Sequence, residues 1–316
     1  MSSLGHVGKR PLPGEDLIGP GGTAALERLA GVKGFVFDMD GTLVLGDPRN
    51  HGFVPLAGAL EITNWLAGRQ VPFVVFTNGT ARPPAAYAAN LAEAGFRLAD
   101  SDLLTPASAA AELFTRRKYR RVLVLGGEGL RAPLRAAGIE VLPPAGEPRV
   151  DAVLIGWYRE FTMDALEAAC HAVWNGARVY SASQTRFFAT ADGRALATSR
   201  AIAAMIRDMT GCRIHVIGKP SLDALRCAGR RLGVKITDLA VVGDDPSLEV
   251  PMAHRGRALA IAVNTGLGSA DSFARVPAAR RPHITVPGVG DLLALCRRAA
   301  TGVGAANSSV ADPDPG

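Results

Sequence analysis

Between about residues 31 and 298, short apolar runs rich in β-branched and aromatic residues alternate with helix-like stretches. Alternation on that scale predicts an α/β fold built on a largely parallel sheet. Strands are expected at 34–38, 72–76, 122–125, 151–155, 177–181, 214–217, 239–242 and 258–262. Helices are expected at 55–68, 83–95, 106–117, 128–137, 163–175, 198–210, 221–232 and 290–299. Gly95, Gly138, Gly176, Gly211 and Gly233 stand where helix C-caps belong. The stretches 1–22 and 301–316 are polar, aperiodic and biased toward Gly, Pro, Ser and Asp, so both read as flexible tails, the first running on to about residue 30.

The strand ends carry the chemistry. Phe35-Val36-Phe37 runs into Asp38-Met39-Asp40-Gly41-Thr42. Residues i and i+2 of an extended segment point the same way, so two carboxylates converge at the carboxyl end of a strand, where open α/β sheets bind ligands. Such a pair suits phosphoryl transfer, one carboxylate attacking phosphorus, its neighbour handling the proton, and both able to hold a divalent cation. The second strand ends in Thr77-Asn78-Gly79, a hydroxyl beside backbone amides. Val216-Ile217-Gly218-Lys219 supplies a mobile point charge, and Val242-Gly243-Asp244-Asp245 a second acid pair suited to Mg²⁺. Each has a plainer reading as a turn, but four strand ends with complementary groups are much harder to dismiss than any one, and together they are the parts needed around a phosphate and a metal.

Composition limits the alternatives. The 316 residues are 48% hydrophobic and 20% charged, enough for a large core in one or two domains. The net charge of +6 favours anionic partners. The densest basic run, Arg116 to Arg121, closes a helix pattern where cations are ordinary, so a small anionic substrate is expected and nucleic acid is not. Four scattered cysteines fit neither a zinc site nor a disulfide framework, and neither a signal peptide nor a membrane span is apparent. A cytoplasmic protein with no membrane association is expected.

With the four strand ends in order, the sequence resembles the haloacid dehalogenase (HAD) superfamily, whose motifs are D-x-D-x-T, a strand ending in Thr or Ser, a lysine and an acidic G-D turn. Phe76-Thr77-Asn78-Gly79-Thr80, Val122 to Leu130 and Gly218-Lys219-Pro220-Ser221 narrow the resemblance to the NagD-type phosphatases. The resemblance implies a Rossmann-like, doubly wound core at 31–104 and 214–300 with a large α/β cap inserted at 105–213. It implies Asp38 as nucleophile, Asp40 as general acid and base, and Thr77, Asn78, Gly79 and Lys219 around the phosphate. Mg²⁺ would be held by Asp38, the Asp40 carbonyl and Asp244, the substrate would be a small phosphorylated metabolite, and a homodimer would form through the cap.

Two departures stand out. Where the family commonly places a second aspartate, Glu249 stands, with Asp245 as the other candidate. The cap loop lacks the branch's Asn-x-Asp and P-G-x-G elements and reads Ser181 to Arg186, then Leu196 to Arg200, leaving Arg186 and Arg200 to meet an anionic substrate tail. Other readings remain open at this point. One is a phospho-ligand sensor on a degenerate fold, another a phosphomutase. The third is a dinucleotide enzyme, suggested by Gly127-Glu128-Gly129-Leu130-Arg131-Ala132, although no ribose-binding acid follows the next strand. His51, just beyond the Asp40 loop, reads as a solvated loop residue or a substrate contact.

Overall fold

The computed structural model describes residues 22–46, 52–190 and 193–307; His51 lies outside them. In chain order the strands are Gly34–Asp38 (β1), Val44–Leu45 (β2), Val54–Pro55 (β3), Phe73–Phe76 (β4) and Leu103–Leu104 (β5). Arg121–Leu125 (β6), Glu140–Leu142 (β7), Ala152–Ile155 (β8), Arg178–Ser181 (β9), Phe187–Thr190 (β10), Gly193–Leu196 (β11) and Ile214–Val216 (β12) follow. Leu239–Gly243 (β13), Leu259–Val263 (β14) and Ile284–Val286 (β15) complete the set. They build one parallel sheet in the order β15-β14-β13-β1-β4-β5 and a second in the order β12-β9-β8-β6-β7. Two antiparallel hairpins, β2-β3 and β10-β11, stand apart from both sheets.

The first sheet is buried on both faces, as its uninterrupted apolar strands require. Phe35 and Phe37 of β1 pack into one apolar cluster with Val75, Ala240 and Val242, while Val36 packs into the other with Val74, Phe76 and Val241. That second cluster continues through the helices Pro106–Arg116 and Leu222–Leu232 to Val122, Val124 and Leu154 of the second sheet. The far face of the second sheet packs on the helices Met163–Trp174 and Thr198–Thr210. All five predicted cap glycines have positive φ.

Three expectations need correction. The strand at 214–216 pairs with β9, so it is an edge of the second sheet and not the start of the core stretch 214–300. Residues 22–30 are not tail: Gly22–Ala30 is a helix whose Ala25 and Leu29 are buried in the core cluster. At the other end the last helix, Val289–Asn307, runs past residue 300; 1–21 and 308–316 lie outside the described residues.

The glycine-rich turn of the dinucleotide pattern has another use. A Cβ on Gly129 would sit 2.2 Å from the Thr80 carbonyl and 2.7 Å from the Arg82 amide. The backbone just after the Thr77 strand therefore occupies the space that a pyrophosphate would need. Trp157 N–H donates to Thr80 Oγ1 at 2.9 Å across the same junction.

Candidate active site

Parallel register brings the reactive strand ends to one edge. Asp38 pairs with Phe76, the residue before Thr77, and Phe37 pairs with Val242, two residues before Asp244. Gly41 turns the chain behind Asp40 at φ 81°, a conformation that suits glycine, and a Cβ there would lie 2.6 Å from Asp244 Oδ2. Gly266 comes closer still from the loop after β14, where a Cβ would lie 2.0 Å from the same oxygen. Leu267 N–H donates to Asp244 Oδ2 at 2.6 Å, and Thr265 Oγ1 donates to the Gly41 carbonyl at 2.6 Å. The Asp244 carboxylate is therefore wedged between two bare backbones. Gly266→Ala is expected to displace it, giving a folded protein with at least about tenfold lower turnover, the loss that misplacing one active-site group commonly causes; steady-state kinetics beside a circular dichroism melt would check this.

Lys219 is the hub. Its ammonium contacts Asp38 Oδ1 and stands 2.7 Å from Glu249 Oε1, with the Phe76 ring centroid 5.6 Å away. Its backbone is clamped by Asn78, whose Oδ1 accepts from Lys219 N–H at 2.9 Å and whose Nδ2 donates to the Lys219 carbonyl at 3.1 Å. The group of Asn78 expected to meet phosphate is its backbone amide; its side chain has the separate task of holding the lysine in place. Glu249 resolves the question of the second acid. It is buried at the start of the helix Glu249–Gly256 and reaches Lys219. Asp245 turns away, accepting from Ser247 N–H and Oγ, each at 2.7 Å.

Thr77 is buried, accepts from Gly79 N–H at 3.0 Å and hydrogen-bonds the Asp40 carboxylate. Thr42 Oγ1 donates to Asp38 Oδ2 at 3.3 Å. The Asp40 side chain is exposed to solvent, although protein atoms crowd around its carboxylate. That crowding, then the charge of Asp38, raises its pKa to about 7, against the opposing pull of Lys219 and Thr77. Burial and Asp38 likewise raise Asp244 to about 7. Glu249 is raised to about 8 because burial and the neighbouring acids outweigh Lys219. Burial opposes the Lys219 charge, but Asp38 and Glu249 more than compensate and hold its pKa above the usual range. Four carboxylates thus surround one ammonium, leaving the cluster with surplus negative charge.

Asp38, Asp40, Thr77, Asn78, Lys219 and Asp244 therefore meet at one edge of the first sheet. Arg186 does not: its side chain is exposed and makes no hydrogen bond or ion pair with the cluster among the described residues. Sequence reasoning missed Thr265, Leu267 and Tyr87. Tyr87 is buried with its hydroxyl beneath Gly79, and burial followed by the nearby Asp40 raises its pKa to about 12. The run Asn264-Thr265-Gly266 after a buried strand was the available signal for the first two.

The chain is similar to known proteins along most of its length. The profile of haloacid dehalogenase-like hydrolases matches residues 35–140, and a second, HAD-hydrolase-like profile matches residues 216–292. Mouse chronophin is 32% identical over 287 residues, spanning 86% of this chain and 96% of the mouse protein. The chain belongs to the haloacid dehalogenase-like hydrolases. Ribonucleotide monophosphatase NagD of Escherichia coli K-12 is 26% identical over 264 residues, 83% of this chain and 98% of NagD. The NagD structure matches with a TM-score of 0.72 and 25% identity, covering 82% of this chain and 98% of that one. A glycerol phosphate phosphatase from Mycobacterium tuberculosis, solved in complex with magnesium, matches with a TM-score of 0.72 and 26% identity over 85% of this chain and 77% of that one. Within the HAD family the chain takes its place among the NagD-like phosphatases.

Proposed function

We propose that this HAD phosphatase is Mg²⁺-dependent and hydrolyses small phosphomonoesters through a phosphoryl group carried on Asp38. The observation that carries the reading is the buried contact of Asp38 with Lys219, beside an Asp40 whose pKa lies near neutrality. In this reading an oxygen of Asp38 attacks phosphorus while Asp40 gives its proton to the departing alcohol oxygen. Asp40, now ionised, takes a proton from water, which attacks the phosphorus and releases phosphate with Asp38 restored. A carboxyl group that must both give and accept a proton works best with a pKa near the working pH. In this reading Lys219 neutralises Asp38 and the transferring group, and the Gly79 amide, which bonds Thr77 Oγ1 here, would turn with the Thr77 hydroxyl and the Asn78 amide to phosphoryl oxygens when substrate binds.

The donor set fits Mg²⁺. Among the described residues no group of three or more Asp, Glu, His or Cys side chains is arranged to hold a metal ion by itself. Mg²⁺ does not need one, since it commonly takes one or two carboxylates and completes its shell with waters and substrate phosphate. Asp38, the Asp40 carbonyl and Asp244 would hold it, and the surplus negative charge described above favours its binding. Bound there, it supplies Lewis-acid stabilisation of the phosphoryl oxygens. Phosphate release from a panel of phosphomonoesters is expected with Mg²⁺ and not with EDTA; release unaffected by EDTA would overturn the metal assignment.

Asp40→Asn is expected to lower turnover of alkyl phosphates by about 10²–10⁴-fold, the usual worth of a general acid and base. p-Nitrophenyl phosphate, whose leaving group needs no proton, should suffer less in the phosphorylation step. Because the Asp40 pKa is raised, the protonated form needed for that step persists up to about pH 7. Single-turnover rates with alkyl esters should therefore fall above that pH in the wild type and lose this limb in Asp40→Asn.

The same reading includes a cytoplasmic setting and a homodimer through the second sheet. All four cysteines are free thiols, three of them buried, and no helix among the described residues is long and apolar enough to cross a membrane. Met163 and Trp174 on one flanking helix, with Met205 and Met209 on the other, are exposed apolar residues on the lobe expected to pair.

A further inference from the structure

The second sheet carries a cavity that the phosphoryl site does not use. It lies between the loop after β9, the helix Thr198–Thr210 and the edge strand β12, and its lining includes Gln184, Arg200, Ala203, Arg207 and Ile214. Its volume is about 40 Å³, room for more than one water by the same kind of measure, which needs roughly 10–15 Å³ for each. Arg200 and Arg207 are two helical turns apart and share one face, with the small Ala203 between them leaving the space open.

The polar groups of this cavity are overwhelmingly donors. Arg200 Nη1 donates to the Gln184 carbonyl at 2.9 Å, which fixes the guanidinium against the loop. Gln184 Nε2 is buried and has no hydrogen-bond partner. Neither arginine makes an ion pair with an acid among the described residues. Two guanidinium groups, that of Arg200 half-buried and that of Arg207 exposed, and an unsatisfied amide N–H, with no carboxylate paired to them among the described residues, are complementary to an oxyanion.

The cavity is tied through the backbone to the segment that carries Lys219. Ser181 Oγ donates to the Ser183 carbonyl at 2.7 Å, and Thr185 N–H donates to Ser183 Oγ at 3.2 Å, so the Gln184 loop is tied internally. Ile217 N–H donates to the Ser181 carbonyl and Gly218 N–H to the Ala182 carbonyl, at 3.0 and 3.2 Å. The loop that lines the cavity is thus bonded to the segment that delivers Lys219.

We propose that this cavity binds a small oxyanion, a carboxylate or a phosphate group, held by Arg200, Arg207 and the Gln184 amide. The anion is either an acidic tail on the substrate or a free anion; only the first source rests on the phosphatase reading. Sulfate is the probe, read by the side-chain NH₂ resonances of Gln184, identified by their loss in Gln184→Met. The expected result is a saturable shift in the full-length protein that weakens at least about fivefold in Arg207→Gln, in line with the loss of a charge-assisted contact. Gln184 resonances indifferent to sulfate, or titrating equally in Arg207→Gln, would overturn the site. This reading needs no turnover and holds equally in Asp38→Asn protein, so it stands apart from any failure of the phosphatase chemistry. Kinetics then separate the sources. A KM raised in Arg207→Gln for a carboxylate-bearing phosphomonoester, but not for p-nitrophenyl phosphate, assigns the anion to the substrate. KM values unchanged for both assign it to a free anion.

Discussion

Asp38→Asn protein is expected to fold normally and to lose at least about 10⁴-fold in turnover, the scale seen when a covalent nucleophile is removed. Asparagine matches aspartate in shape, keeps a carbonyl oxygen for the Lys219 ammonium, and in place of the second oxygen has an Nδ2 that can donate to Thr42 Oγ1. Lys219 also retains Glu249, so no buried cation is stranded. What disappears is the anionic oxygen that attacks phosphorus. Loss of activity in a protein whose melting temperature stays within a few degrees of the wild type would match this account. Near-normal turnover in the folded variant would remove Asp38 from the nucleophile's place.

Lys219→Met should instead damage the fold as well as the chemistry. Methionine is close to lysine in length and can lie beside the Phe76 ring, but it leaves Asp38, Asp244 and Glu249 facing one another without the ammonium. Removing one partner of a buried ion pair costs about 3–5 kcal/mol, because an uncompensated charge remains. The cost should depend on pH. Asp244 and Glu249 already have pKa values raised to about 7 and about 8, so the folded state holds protons that the unfolded state has released. Between an ordinary carboxyl pKa near 4 and those raised values, stability falls as pH rises. The deficit of Lys219→Met, measured by urea unfolding in EDTA, should therefore be larger at pH 8 than at pH 5. Equal stability of variant and wild type at pH 8 would contradict the assignment of Lys219 as the compensating charge.

Much of this site was legible because it sits at the ends of long buried strands. β1, β4 and β13 are continuous apolar runs, and the residues that follow them must emerge together when the strands lie parallel. Position in the chain therefore placed Asp38, Thr77 and Asp244 without further information. Lys219 was legible as a motif but not in its origin. Val216, three residues before it, belongs to the edge of the second sheet, and only the last turn of the connection crosses to the core. A run of three strand residues carries no mark of which sheet it will join.

What stayed hidden depends on contacts between distant segments. Glu249 follows an acidic turn and looks like a departure from the metal set; only the tertiary fold shows it facing Lys219, thirty residues earlier in the chain. Leu267 contributes through a backbone N–H, which its side chain does not advertise. β5 and β15 are too short to show a period, and each is recognisable only by its pairing. Arg186 was named from charge alone, whereas the direction of a loop side chain follows from packing; Arg200, on the next helix, faces a cavity instead.

The most direct measurement is to mix Asp40→Asn protein with a p-nitrophenyl ester and Mg²⁺, quench in acid, and map phosphopeptides by mass spectrometry. Slowed hydrolysis should let the phosphorylated enzyme accumulate, with one phosphoryl group on the peptide that contains Asp38 and none when Asp38 is also changed to Asn. Phosphate found on another residue, or label that persists without Asp38, would contradict the central claim.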